Sequence, residues 1–114
     1  MKKPLLSLVL ALGLLPVWAQ QQGVSKDQIL IGSIQDLSGP LAGYGKQARA
    51  GMQLRIDEAN EQGGVHGRKL KLVVEDSGYD PKKAVLAAQK LVNQDKIFIM
   101  AAHLGTAHNN AAMP

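Results

Sequence analysis

The sequence predicts an α/β fold built on a parallel sheet, and three observations carry that reading. Short apolar runs at residues 29–34, 69–74 and 97–101 have the length and the β-branched content of strands. The segments between them place apolar residues at steps of three and four, the spacing of an amphipathic helix. The first run also lacks polar/apolar alternation, as a strand buried on both faces requires. Strand, helix, strand, helix, strand is the order of parallel strands joined by crossover helices, a βαβαβ unit. Such sheets bind ligands at the carboxyl ends of their strands. Function is therefore expected in the long loop after the first strand and the small-residue loop after the third.

Each element has its own local signal. Lys2 and Lys3 precede an apolar run over residues 5–18, and Val17-Trp18-Ala19 offers small residues at cleavage offsets, so residues 1–19 read as a signal peptide cut after Ala19. A membrane anchor is the alternative reading, but the run is shorter than the roughly 20 residues a spanning helix needs, and Pro16 lies near its end. Residues 20–26 are polar and expected to be a loosely held lead into the first strand. Ser38-Gly39-Pro40 marks a turn within a loop over residues 35–45. The first helix is expected over about residues 45–61, with Ala48, Met52, Ile56 and Ala59 on its apolar face and Gly63-Gly64 ending it. Residues 65–68 make a tight connection into the second strand. Asp80 can cap the second helix, with Pro81 in its first turn, where the missing N–H costs nothing. Its buried stripe is Ala84, Ala88 and Leu91, with Val85 and Val92 beside them, and it ends near residues 93–95. A third helix is expected to begin near Ala107.

Composition excludes several functions. Thirteen basic residues face nine acidic ones, but Lys2 and Lys3 belong to the leader, so the formal charge of +4 overstates the charge of the mature chain. The basic residues are scattered and aromatics make up 4% of the chain, so nothing resembles a nucleic-acid stacking platform. With no cysteine there is no disulfide, no thiol chemistry and no lipid anchor on an amino-terminal Cys. Three strands and two helices cover the two faces of a parallel sheet poorly. The chain is accordingly expected to be the amino-terminal part of a larger protein, stopping inside an element.

Four constellations compete for a functional role. Glu75 and Asp76 close the second strand, where an acid could hold a ribose hydroxyl, but the G-x-G-x-x-G turn that reading needs is missing after the first strand. Those acids are expected to be solvated or to fix the following turn. His66, His103 and His108 could be imagined as metal ligands, yet His66 belongs at the opposite end of the sheet and no acid lies close to the other two in sequence. His103 reads as a partly buried polar residue at a strand end. Ser33, Ser38, Ser77 and Thr106 are available as nucleophiles, but none sits in a G-x-S-x-G elbow, so no enzymatic activity is expected. The remaining constellation is the pair of loops beginning near Gln35 and Ala102. In the strand order 2-1-3 they flank a crevice. There Leu104-Gly105-Thr106-Ala107 would let a ligand approach the backbone, with Thr106's hydroxyl and the first N–H groups of a helix suited to a carboxylate. Tyr44 would supply an aromatic wall. The residues alone fit equally a plainer reading, in which Tyr44 packs a turn and Thr106 caps a helix.

Ile31-Gly32, Leu37-Ser38-Gly39-Pro40-Leu41-Ala42 with Tyr44-Gly45, and Gly51 form one series of short motifs. Glu58-Ala59-Asn60 with Gly63-Gly64-Val65, Gly67-Arg68-Lys69-Leu70, and Asp80-Pro81 with Ala84 continue it. In this series the chain resembles the leucine/isoleucine/valine-binding family of periplasmic ABC-transporter solute-binding proteins. The resemblance implies a type I periplasmic binding protein, two α/β lobes closing on a solute, with residues 20–114 an incomplete amino-terminal lobe. In amino-acid-binding members the loop after the third strand holds the ligand's carboxylate through a hydroxyl residue and backbone amides. Thr106 matches that hydroxyl, with Leu104 and Gly105 beside it, and Tyr44 matches an aromatic that lines the pocket. Amino-acid binders often carry consecutive hydroxyl residues there, whereas Thr106 is followed by Ala107 and His108. Some members tie the loops after strands two and three with a disulfide; the matching positions here are Tyr79 and Gly105, so that staple is absent. The implied role is a periplasmic subunit that captures an amino acid or related small polar solute for a membrane permease, without cofactor or metal. The ligand-sensing ectodomain of a receptor or regulator with the same fold is the alternative.

Overall fold

Strands and helices alternate along the chain in the order β1 (Gln28–Gln35), α1 (Ala42–Glu61), β2 (Lys69–Asp76), α2 (Pro81–Asn93), β3 (Ile99–Met100) and α3 (Thr106–Ala112). The computed structural model describes residues 20–113, and the expected signal peptide over residues 1–19 lies outside them. The strands form one parallel sheet in the order β2-β1-β3, as the sequence predicts. β1 pairs with β2 from Gln28 opposite Lys69 to Gln35 opposite Asp76, and with β3 at Ile31 opposite Ile99 and Gly32 opposite Met100.

The core lies between the sheet and α2. Ile34, Ala84, Ala87, Ala88, Leu91 and Ile97 are buried together, with Leu30, Val73 and Met100 packed against them. Residues two apart on a strand share a face, so Leu30, Gly32 and Ile34 point toward α2. Gly32 has no side chain because Leu91 and Ile97 fill that space. Right-handed crossovers in opposite directions across the sheet put α1 on the other face, where it packs on β2 and β1 and buries Ile56. The α2 start follows its sequence signal: Asp80 accepts hydrogen bonds from the Lys82 and Lys83 amides, with Pro81 in the first turn. A cap of this kind contributes about 1 kcal/mol. The α1 end does likewise. Gly63 N–H donates to Asn60 O (3.1 Å) and Gly64 N–H to Ala59 O (2.8 Å), the paired bonds of a left-handed glycine stop.

Three expectations need correction. α1 begins at Ala42 rather than near Gly45, so Tyr44 sits in the first helical turn and not in the preceding loop. β3 is two residues long; ladder bonds from Phe98 N–H to Leu30 O (2.9 Å) and from Ala101 N–H to Gly32 O (2.8 Å) flank it without extending the regular strand. The lead-in is also not loose. Val24 bridges Ile29, Leu30 N–H donates to Gly23 O (2.8 Å), and the Gln22 amide donates to Ile97 O (3.1 Å).

Candidate functional site

Three loops emerge at the carboxyl end of the sheet, and hydrogen bonds lock them together. The loop after β1 is organised by Asp36, a fully buried side chain. Its Oδ1 accepts from the Ser38 (3.2 Å) and Gly39 (2.5 Å) amides and its Oδ2 from the Leu41 amide (2.6 Å). Asp36 is not among the residues that sequence reasoning singles out. Its signal is present in Asp-x-Ser-Gly, an acid placed to bond its own backbone two residues on.

Asp76, at the end of β2, ties the second loop to the first. Its Oδ1 accepts from the Leu37 and Gly78 amides, both at 2.8 Å, and its Oδ2 from the Ser38 hydroxyl at 2.6 Å. It is thus the turn-fixing acid that the sequence suggests. The Ser38 hydroxyl and then the Leu37 amide hold its pKa below the ordinary value of 3.8. A depressed carboxyl stabilises the fold above its ordinary range, and the contribution is lost as pH falls through the lowered value. Ser38→Ala should therefore lower the urea midpoint of the complete protein at neutral pH. That difference should shrink once the pH drops below 3.8; a pH-independent difference would refute the linkage. Glu75, the neighbouring acid, pairs with Lys90 at 2.5 Å instead.

The third loop is held to β1 at two points. Leu104 N–H donates to Ile34 O (2.9 Å), and the buried Gln35 side chain donates to Ala102 O. Ala102 has φ 53° and Gly105 φ 104°. A left-handed alanine is strained and persists only where its surroundings hold it. Gly105 is the cap residue of α3, and the helix has no side-chain cap. Thr106 occupies the first helical position, so its hydroxyl is not spent on capping, and the first-turn amides have no intrahelical partner.

Of the four site residues expected from the sequence, Leu104, Gly105 and Thr106 form this loop and helix start, and Tyr44 lies in the first turn of α1, which follows the neighbouring strand β1. Tyr44 is 71% exposed, and Thr106 is exposed as well. The Leu104 amide is committed to Ile34, so this residue anchors the loop.

The histidines lie apart. His66 takes φ 48° in the turn before β2, at the amino end of the sheet, whereas His103 and His108 follow β3. Burial, then the neighbouring His108, lowers the pKa of His103. Among the described residues no group of three His, Cys, Asp or Glu is placed to hold a metal ion, and no helix is long and apolar enough to cross a membrane.

A family model described as periplasmic binding protein matches residues 28–114. The Leu/Ile/Val-binding protein BraC3 of Rhizobium johnstonii is 38% identical over 86 residues, covering 75% of this chain and 22% of its own. The Leu/Ile/Val-binding protein of Escherichia coli is 36% identical over 86 residues, covering 75% and 23%. Among solved structures, a fatty acid ABC transporter substrate-binding protein from Thermomonospora curvata superposes with TM-score 0.78 at 37% identity, over 82% of this chain and 24% of that one. The branched-chain amino acid transporter substrate binding protein LivJ from Streptococcus pneumoniae, in complex with isoleucine, superposes with TM-score 0.67 at 32% identity, over 75% and 25%. The chain thus spans under a quarter of the length of the curated relatives named here.

Proposed function

The chain belongs to the periplasmic binding protein family, and on that premise we propose that it supplies the carboxylate-holding corner of a solute-binding subunit serving an ABC importer. The subunit works outside the cytoplasmic membrane, delivers to a membrane permease and carries out no chemical step. The solute is an amino acid with an apolar side chain. Thr106's hydroxyl and the first-turn amides beside it receive the carboxylate, Leu104 and Gly105 shape the loop around it, and Tyr44 packs against the body of the solute. The observation that carries this reading is the uncapped start of α3. An exposed hydroxyl and N–H groups without an intrahelical partner sit together on a loop pinned to β1, which suits an anionic oxygen pair.

A second reading has its own support. The Thermomonospora curvata protein is named for fatty acids, and a fatty acid shares with leucine a carboxylate on an apolar body. The corner would serve either, and the ammonium group distinguishes them. Calorimetry on the complete protein with L-leucine and with octanoate separates the two. A hydrogen bond to a charged group contributes about 1.5–3 kcal/mol, so Thr106→Ala should weaken binding of the accepted solute about tenfold or more. Unchanged affinity would remove Thr106 from the site.

A further inference from the structure

The loops after β2 and β3 are separated by β1 in the sheet, yet one side-chain pair joins them. The Tyr79 ring, from the loop after β2, lies against the His108 ring, from the first turns of α3, with centroids 4.4 Å apart and planes tilted by 36°. His108 is 3% exposed, and neither ring nitrogen has a hydrogen-bond partner among the described residues. What this imidazole contributes here is ring surface, packed against Tyr79 and Gly105. That ring also fills the space beneath Gly105. A Cβ on Gly105 would come within 3.0 Å of His108 Cγ and closer still to Nδ1. Tyr79 in turn holds φ 58°, a left-handed backbone that a tyrosine adopts only under constraint. Two left-handed residues, Tyr79 and Gly105, thus bracket one ring contact.

We propose that Tyr79 and His108 are positioning residues, a non-covalent clasp through which the loop after β2 sets the shape of residues 104–107 for the solute. This rests on the reading of that segment as the carboxylate corner. The clasp holds the His108 ring against Gly105, and Gly105 in turn presents the Thr106 hydroxyl and the amides behind it. The loop then need not be ordered at the moment of binding, which removes part of the cost of association.

The test uses the complete protein and three variants. Tyr79→Gly deletes the ring and relieves the left-handed backbone; Tyr79→Phe and His108→Phe keep the stacking. Two amides report the loop without any solute: Leu104, bonded to Ile34 O, and Asn109, bonded to Gly105 O. In Tyr79→Gly their hydrogen exchange should accelerate, and L-leucine affinity should fall about threefold to tenfold, the range expected for an aromatic pair. The melting temperature should hold or rise, because the strained backbone is relaxed. Tyr79→Phe and His108→Phe should match the wild type in both readouts. Unchanged exchange in Tyr79→Gly overturns the clasp, and faster exchange with unchanged affinity overturns its positioning role. Should the wild type bind no L-leucine, the proposed solute fails on its own, and the exchange comparison alone decides for or against the clasp.

Discussion

Asp36→Ala is expected to lower the stability of the complete protein by about 3 kcal/mol, read as a shift in the urea midpoint with an unchanged slope. Asp36 is fully buried and accepts three backbone N–H groups within five residues of itself. Alanine removes both acceptor oxygens, and with them all three bonds, and strands amides that the chain cannot redirect, because Gly39 is pressed against the next loop. A Cβ there would lie 2.7 Å from the Gly78 carbonyl carbon. Each stranded donor costs about 1 kcal/mol or more where water reaches it poorly. Asp36→Asn gives a sharper test. The side-chain oxygen of that variant can keep the Ser38 and Gly39 amides, but its NH₂ group then faces the Leu41 N–H, donor against donor. About a third to a half of the alanine effect should appear. The same substitutions should weaken solute binding, since the Leu41 amide precedes the turn that carries Tyr44. A midpoint within experimental error of the wild type would show that Asp36 does not organise this loop.

Much of the scaffold is legible in the sequence because it depends on local chemistry. The apolar runs, the Asp80-Pro81 start of α2 and the Gly63-Gly64 stop of α1 each state their structure within a few residues. The β2-β1-β3 order is the common doubly wound one, and with right-handed crossovers it sends α1 and α2 to opposite faces. Errors arise where distant contacts decide. β3 reads as five residues from its apolar run, yet its regular pairing is confined to Ile99 and Met100. The lead-in reads as loose because it is polar, but the Gln22 side chain spends its polarity on carbonyls of residues 92 and 97.

The loop expected to carry the site is legible by its place in the sheet, and less so in what shapes it. Leu104, Gly105 and Thr106 stand out by their place after β3 and the small residues among them. What shapes that loop comes from elsewhere in the chain. Gln35 reaches Ala102, Leu104 bonds Ile34, and the Tyr79 ring meets His108. No periodicity or spacing reports a stacking pair so far apart in the chain, and a buried histidine without polar partners runs against the usual expectation for that residue. Asp36 differs, because its signal is local and is masked by the stronger turn signal of Gly39 and Pro40.

Gly45→Ala should cost about 3 kcal/mol, the upper end of what overpacking imposes, and it is the substitution that separates the true helix start from the one read in the sequence. Three glycines fall within α1, at positions 43, 45 and 51. By propensity each weakens the helix by about 0.5–1 kcal/mol relative to alanine, which is why this stretch reads as loop up to residue 45. Their surroundings differ completely. A Cβ on Gly43 or Gly51 meets nothing within 4 Å, whereas one on Gly45 lies 2.7 Å from the Asp36 carbonyl carbon and nearer still to its oxygen. Gly45 is buried, and there the first turn of α1 rests directly on the backbone leaving β1. Alanine must push that turn off the strand, disturbing Tyr44 one residue earlier and the Asp36 bonds behind it. Gly51→Ala, in contrast, should raise stability by about 0.5–1 kcal/mol. Because Gly45 and Asp36 touch, the double variant Asp36→Ala/Gly45→Ala should lose less than the sum of the two single changes. If Gly45→Ala and Gly51→Ala shift the urea midpoint alike, α1 does not bear on β1 at this point, and the placement of Tyr44 falls with it.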